Sequence, residues 1–191
     1  MVGEEFAATA VATSIQWPEE DVEAQCQGFA ARHHFIEDIG LSVWPDATSS
    51  GGYRFQHALY QHVLYEQLGT ARRVQHQRIG ARLEAGYGAQ TSEIATQLAV
   101  HFESGGKTLQ AIHYWQQAGD NAARRSAHPE AITSLRKGLA RLATLSDSPE
   151  RSRMIGQYKE FARQDNTFRA SFHFSRLPEL DNLSKEPPFM G

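Results

Sequence analysis

The sequence predicts a mainly α chain in which a small helix–helix–β-hairpin module precedes a series of antiparallel helical hairpins. Three observations carry that expectation. From His57 onward, apolar residues recur at the 3.6-residue helical period. Proline occurs at Pro18 and Pro45 and not again before Pro129, so the middle of the chain can run helical without interruption. Near the start, a Pro-, Asp-, Ser- and Gly-rich stretch from Leu41 to Gly52 separates two short apolar runs.

Taken in order, Phe6, Ala7, Ala10 and Val11 stand at helical spacing and define a first helix. Trp17-Pro18-Glu19-Glu20-Asp21 then places proline and three acids at the first turn of a second. That helix is expected to run to about Arg32, with Val22, Cys26 and Phe29 on its inner face. Phe35 to Ile39 reads as a strand, Leu41 to Gly52 as a loop, and Tyr53-Arg54-Phe55 as the returning strand. Helix, helix, strand, loop, strand, helix is the outline of a winged helix, assigned to residues 1–68. Its last helix carries the stripe Leu59, Tyr60, Val63, Leu64 and Leu68.

Residues 69–150 continue with stripes at Val74, Ile79 and Leu83, at Ile94, Leu98 and Phe102, at Ile112, Trp115, Ala118 and Ala122, and at Ile132, Leu135, Leu139 and Leu142. The breaks fall at Gly86-Tyr87-Gly88, Ser104-Gly105-Gly106 and His128-Pro129, which predicts short antiparallel helices. Trp115, Ala118, Gly119, Ala122, Ala131, Leu135 and Gly138 occupy the large and small packing positions of a tetratricopeptide-like repeat, with Trp115 and Gly119 expected where two helices touch. Alanine stands where that repeat usually has leucine and tyrosine. Residues 151–191 form a divergent tail. One more amphipathic stripe at Met154, Ile155, Tyr158, Phe161 and Ala162 precedes a strand-like alternation of Phe168, Ala170, Phe172 and Phe174 in a segment expected to be poorly ordered.

At 191 residues the chain has room for one generous domain or two small ones. Its 19 basic and 22 acidic residues leave a net charge of -3, without the overall basic footprint of a nucleic-acid binder. The balance shifts along the chain, from -8 over residues 1–50 to +3 over 51–150 and +2 beyond. The second helix of the expected winged helix carries Glu19, Glu20, Asp21 and Glu23 at the end that meets base edges in such motifs, so no specific nucleic acid is expected. The single cysteine, Cys26, rules out an internal disulfide and fits a reducing compartment. No apolar run approaches the length of a membrane span and the start lacks a signal-peptide pattern, so a cytoplasmic location is expected.

Candidate chemistry is sparse. Gly105-Gly106-Lys107-Thr108 ends like a phosphate-binding loop, but the first glycine of that motif is replaced by His101, and a helix rather than a strand precedes it. It is read as a turn between helices. Nine histidines contain no H-E-x-x-H pair and are read as scattered surface or capping residues, and no metal is expected. Arg72, Arg73, Arg78 and Arg82 form a basic stretch on one helix, open to three readings: a solvated face, packing, or contact with a phosphate or partner.

The stretches Val2-Gly3-Glu4-Glu5-Phe6, Tyr53-Arg54-Phe55-Gln56-His57-Ala58-Leu59-Tyr60-Gln61-His62-Val63-Leu64-Tyr65, Arg73-x-x-His76-x-x-Ile79-Gly80-x-x-Leu83-Glu84, and Ala99-Val100-His101-Phe102 together resemble the bacterial signal-transduction ATPases with numerous domains, of the type associated with adenylate and guanylate cyclases. The resemblance covers about residues 2–150 and implies a winged helix followed by tetratricopeptide-like repeats, without the ATPase module that precedes them in that family. It implies a fragment of a larger regulator: a non-catalytic regulatory and protein-interaction module, not an enzyme, with no cofactor of its own and an ATPase or cyclase module as its protein partner. A winged-helix transcriptional regulator is the alternative. The resemblance also implies a nucleotide-sensing role for His57, exercised only with an ATPase partner.

Overall fold

The structure is a computed structural model and describes residues 5–164 apart from 34, 68 and 70. The alternating Phe168, Ala170, Phe172 and Phe174 lie outside the described residues. The chain is mainly helical, with a β-hairpin inside a small three-stranded antiparallel sheet. In order, the elements are β1 (Glu5–Ala7), α1 (Ala8–Ile15), α2 (Glu19–Ala31), β2 (Ile36–Val43), β3 (Ser49–Phe55), α3 (Ala58–Gln67) and α4 (Ala71–Tyr87). A 3-10 segment (Gly88–Ile94) leads into α5 (Ala95–Ser104), α6 (Thr108–Arg124), α7 (His128–Ala143) and α8 (Pro149–Gln164). No described helix is long and apolar enough to cross a membrane.

The first helix starts later than its spacing suggests. Glu5–Ala7 is a strand paired to β3, with Phe6 opposite Tyr53, and the sheet order is β1-β3-β2. Aromatic packing accounts for this, because the Phe6 ring lies 5.9 Å from Tyr53 and 5.4 Å from Phe55. The expected loop from Leu41 to Gly52 is also mostly strand, leaving only residues 44–48 as the hairpin turn. There Trp44 and Thr48 close the turn by an N–H···O bond of 2.8 Å, and the Asp46 carboxylate accepts the Thr48 amide at 2.9 Å.

Glycine in β3 answers a packing need rather than marking a loop. A Cβ on Gly51 would collide with the Glu23 carboxylate and lie 2.7 Å from the Tyr53 hydroxyl. Beneath this strand Ala8, Ala12, Val22, Cys26, Ile36 and Tyr53 form a buried cluster. Burial, with Glu23 adding to it, pushes the Cys26 thiol up to about 11, so it stays a neutral core group.

The described residues divide into two compact units, one ending at Tyr114 and the other beginning at Trp115. The boundary drawn from sequence near residue 68 thus falls inside the first unit, where α1 packs along α4 and Arg78 reaches the Ser14 carbonyl at 3.0 Å. In the same unit Gly80 lets the Phe102 ring approach, with a hypothetical Cβ only 3.1 Å from it. In the second unit Trp115, Ala118, Ala122, Ala131, Leu135, Leu139 and Leu142 are buried, together with Met154, Ile155 and Tyr158 of α8.

Candidate functional site

Each of the four arginines on α4 is used to tie the first unit together. Arg72 pairs with Glu66 at 3.3 Å and lies over the Tyr65 ring at 4.7 Å, which links α4 to α3. Arg73 donates to the Gly105 carbonyl at 3.2 Å, at the end of α5. Arg78 caps a terminal carbonyl of α1, where a cation also meets the negative end of the helix dipole. Arg82 donates to Asp46 at 3.0 Å and Thr48 at 2.6 Å while lying over Trp44 at 4.5 Å, and so clamps the hairpin turn. The Asp46 carboxyl is held below its ordinary range by the Thr48 hydrogen bonds first and by Arg82 after them.

The glycine turn after α5 has its amides committed to the helix it ends. Gly106 adopts φ +70°, its N–H donates to Glu103 O at 3.0 Å, and the Lys107 N–H donates to Phe102 O at 2.8 Å. This pair of bonds is a Schellman cap, in which the amides point back along α5 rather than outward to a phosphate.

His57 stands exposed before α3, its ring edge-on to Tyr60 at 5.9 Å and its carbonyl accepting the Tyr60 N–H at 3.0 Å. In the second unit Gly119 faces Leu135, so that a Cβ there would lie 2.8 Å from Leu135 Cγ and Cδ2. Trp115 is buried, with Lys137 Nζ 4.5 Å from its ring centroid.

Two histidines depart from the surface reading. His76 of α4 and His101 of α5 are 3% and 0% exposed, and their Nδ1 atoms lie 3.0 Å apart. His76 Nε2 in turn meets the Tyr65 hydroxyl of α3 at 2.9 Å. Burial pushes both imidazoles well below their ordinary range; the neighbouring Arg72 adds to the effect on His76, and His76 adds to it on His101. Both rings are therefore neutral, and a single proton lies between the two Nδ1 atoms. His101 Nε2 has no hydrogen-bond partner, which favours the tautomer in which His101 Nδ1–H donates to His76. In that tautomer His76 Nε2–H donates to Tyr65, and no buried N–H is left unmet.

The periodicity of α4 and α5 gave no hint of this pairing, because the two histidines are 25 residues apart in sequence. Their one sequence signal was position. Each falls on its helix's apolar stripe, His76 between Val74 and Ile79 and His101 between Leu98 and Phe102. Among the described residues no group of three or more His, Cys, Asp or Glu side chains is placed to hold a metal ion.

The outward side of α3 is apolar. None of its 10 residues is buried, and Leu59, Tyr60, Val63 and Leu64 are exposed. Behind it lies a hollow of about 290 Å³ lined by Phe6, Val11, Ile15, Phe55, Leu64 and Ile79, among others. No family model, curated protein or solved structure matches the chain.

Proposed function

We propose that the chain is a non-catalytic regulatory module that acts by binding a protein partner, an ATPase or cyclase module of the kind its sequence resembles. The observation that carries this reading is α3, a helix with no buried residue whose Leu59 is 65% exposed, Val63 47% and Leu64 42%. An apolar surface of that kind beside an apolar hollow is the ordinary mark of a protein contact. The strand–helix–helix–hairpin order and the β1-β3-β2 sheet support a winged-helix reading of the first unit. The buried Trp115, Gly119 and Leu135 register supports a tetratricopeptide-like reading of α6 and α7. A cytoplasmic location belongs to the same proposal. The transcription-factor alternative is not favoured, since α2 runs from Glu19 to Ala31 without a lysine or arginine.

The test is a titration of the purified chain against a recombinant ATPase module, and separately a cyclase module, of the resembled class. A complex is expected with one of them, weakened by Leu59→Ser with Val63→Ser while the melting temperature stays in place. Failure to bind either module, or binding indifferent to the double substitution, would sink the proposal.

A further inference from the structure

We infer that the hollow behind α3 is a binding site for a small uncharged molecule, mostly hydrocarbon and of roughly a dozen heavy atoms. The site is separate from the outer side of α3, so it stands or falls independently of the protein contact proposed for that side.

The walls come from elements of the first unit that are tied to one another at fixed places. β1 pairs with β3, which sets the Phe6 ring 5.4 Å from that of Phe55. α1 contributes residues between Ala10 and Ile15, α3 residues between Gln61 and Tyr65, and α4 contributes Gln75 and Ile79, about one turn apart. Arg78 of α4 donates to the Ser14 carbonyl of α1 at 3.0 Å, and His76 of α4 meets the Tyr65 hydroxyl of α3 at 2.9 Å. These polar ties hold the three helices without apolar side chains closing the gap between them. Ile15 and Leu64 both line the hollow and both remain exposed. A space of about 290 Å³ is left.

Size and lining select the occupant. Along the helices the walls extend about 6–7.5 Å, too little for a partner's helix, about 10 Å across with its side chains, to enter. An apolar cavity of about 150 Å³ takes benzene, so this hollow holds about twice as much, one to two rings or a short branched chain. None of the described lining residues is Lys, Arg, Asp or Glu. On α4, Arg72 is engaged with Glu66 and the Tyr65 ring and Arg78 with Ser14, so neither is left to neutralise an anion there. A carboxylate or an ammonium ion would lose its hydration and find no opposite charge. Phe6, Val11, Phe55 and Ile79 offer water no side-chain hydrogen bond, whereas a hydrocarbon gains their contact and removes their surface from solvent. The Gln75 carboxamide in the lining can serve one neutral polar group, such as a hydroxyl.

The probe is 1-naphthol, with 1-naphthoate and 1-naphthylmethylamine as its anionic and cationic counterparts. Titration calorimetry of the full chain should give one site for 1-naphthol with a dissociation constant of about 100 µM or tighter, and binding of both ions weaker by about tenfold or more. Two-dimensional NMR should place the shift changes at Val11, Ile15, Leu64 and Ile79. Val11→Phe on α1 and Leu64→Trp on α3 each fill the hollow from a different wall. Each should weaken 1-naphthol by about tenfold or more at an unchanged melting temperature, and the second gives an independent reading should the first disturb α1. Leu41→Ser, at an exposed leucine of β2 outside the lining, should leave the affinity within about twofold. Absence of saturable binding, equal binding of either ion, full affinity in both filled variants, or shifts confined to Leu59 and Val63 would each overturn the inference. None of these results decides the α3 proposal, whose test needs a protein module and reads the outer side of the helix.

Discussion

His76 and His101 face each other Nδ1 to Nδ1 at 3.0 Å, both shut away from water and both neutral. Their pKa values are lowered in the fold, so below 6.5 the unfolded chain binds more protons than the folded one, and stability is lost as pH falls from there toward about 4. Each histidine adds up to about 1.4 kcal/mol of lost stability per pH unit in that window. Urea midpoints measured from pH 7.5 to 4.5 should fall steeply below 6.5 in the wild-type chain and less so in His76→Gln with His101→Gln. Parallel curves for the two proteins would contradict the buried pairing.

Asp120 in the second unit behaves in the opposite sense. Burial raises its carboxyl to about 6, against a smaller opposing pull from Arg124, and its Oδ1 has no hydrogen-bond partner. Because the folded pKa lies above the unfolded 3.8, this group lowers stability as pH rises through that interval. Asp120→Asn is expected to gain about 1–2 kcal/mol at pH 7.5 and little at pH 4. A variant no more stable than wild type at pH 7.5 would count against the burial of this carboxylate.

Two helical glycines should respond oppositely to substitution. At Gly119 a side chain meets Leu135, so Gly119→Leu is expected to cost roughly 1–3 kcal/mol by overpacking. At Gly156, in the middle of α8, an added Cβ meets nothing within 4 Å, and Gly156→Ala should gain up to about 1 kcal/mol from helix propensity alone. Denaturant midpoints decide both, and an unchanged midpoint for Gly119→Leu would remove the helix contact assigned to that position.

Lys107→Ala is expected to leave nucleotide behaviour as it is in the wild-type chain, without stoichiometric ATP retention, because the turn amides already serve Glu103 and Phe102. Gly106→Ala should instead lower stability by about 1 kcal/mol, since its φ of +70° is strained for any side chain and an added Cβ would press on the Arg73 guanidinium. Equilibrium dialysis with ATP tests the first and thermal melting the second. ATP bound one to one by the wild-type chain and lost in Lys107→Ala would reverse the reading of this turn.

The long helices were legible because their packing is local and periodic: α6 and α7 carry apolar stripes that survive in the fold as buried residues from Trp115 to Leu142. The sheet was less legible. Phe6 and Ala7 sit at spacing that suits a helix, and only the distant Tyr53 and Phe55 make them a strand. Gly51 and Gly52 read as loop because glycine is the usual loop residue, whereas here Gly51 makes room for Glu23 and Tyr53. The arginines of α4 are spaced as on a solvated face, and their acceptors Ser14, Asp46 and Gly105 come from other elements that no local window contains. The apolar face of α3 was visible as a stripe. Its exposure was not, since a stripe alone does not say whether a neighbour arrives to cover it.

The position of β3 between β1 and β2 sets an order of events during synthesis. Glu5 pairs with Arg54 and Ala7 with Gly52, so β1 must wait for nearly fifty further residues to be made before β3 can pair with it. Until then α1 and α2 hang on a strand with no hydrogen-bonded neighbour, and the β2–β3 hairpin, whose partners are close in sequence, closes first at the lower entropic cost. The hairpin is then the template on which β1 is captured. A lengthened 44–48 turn would delay that capture and slow folding of the whole first unit, leaving the local helices to form at their own rate.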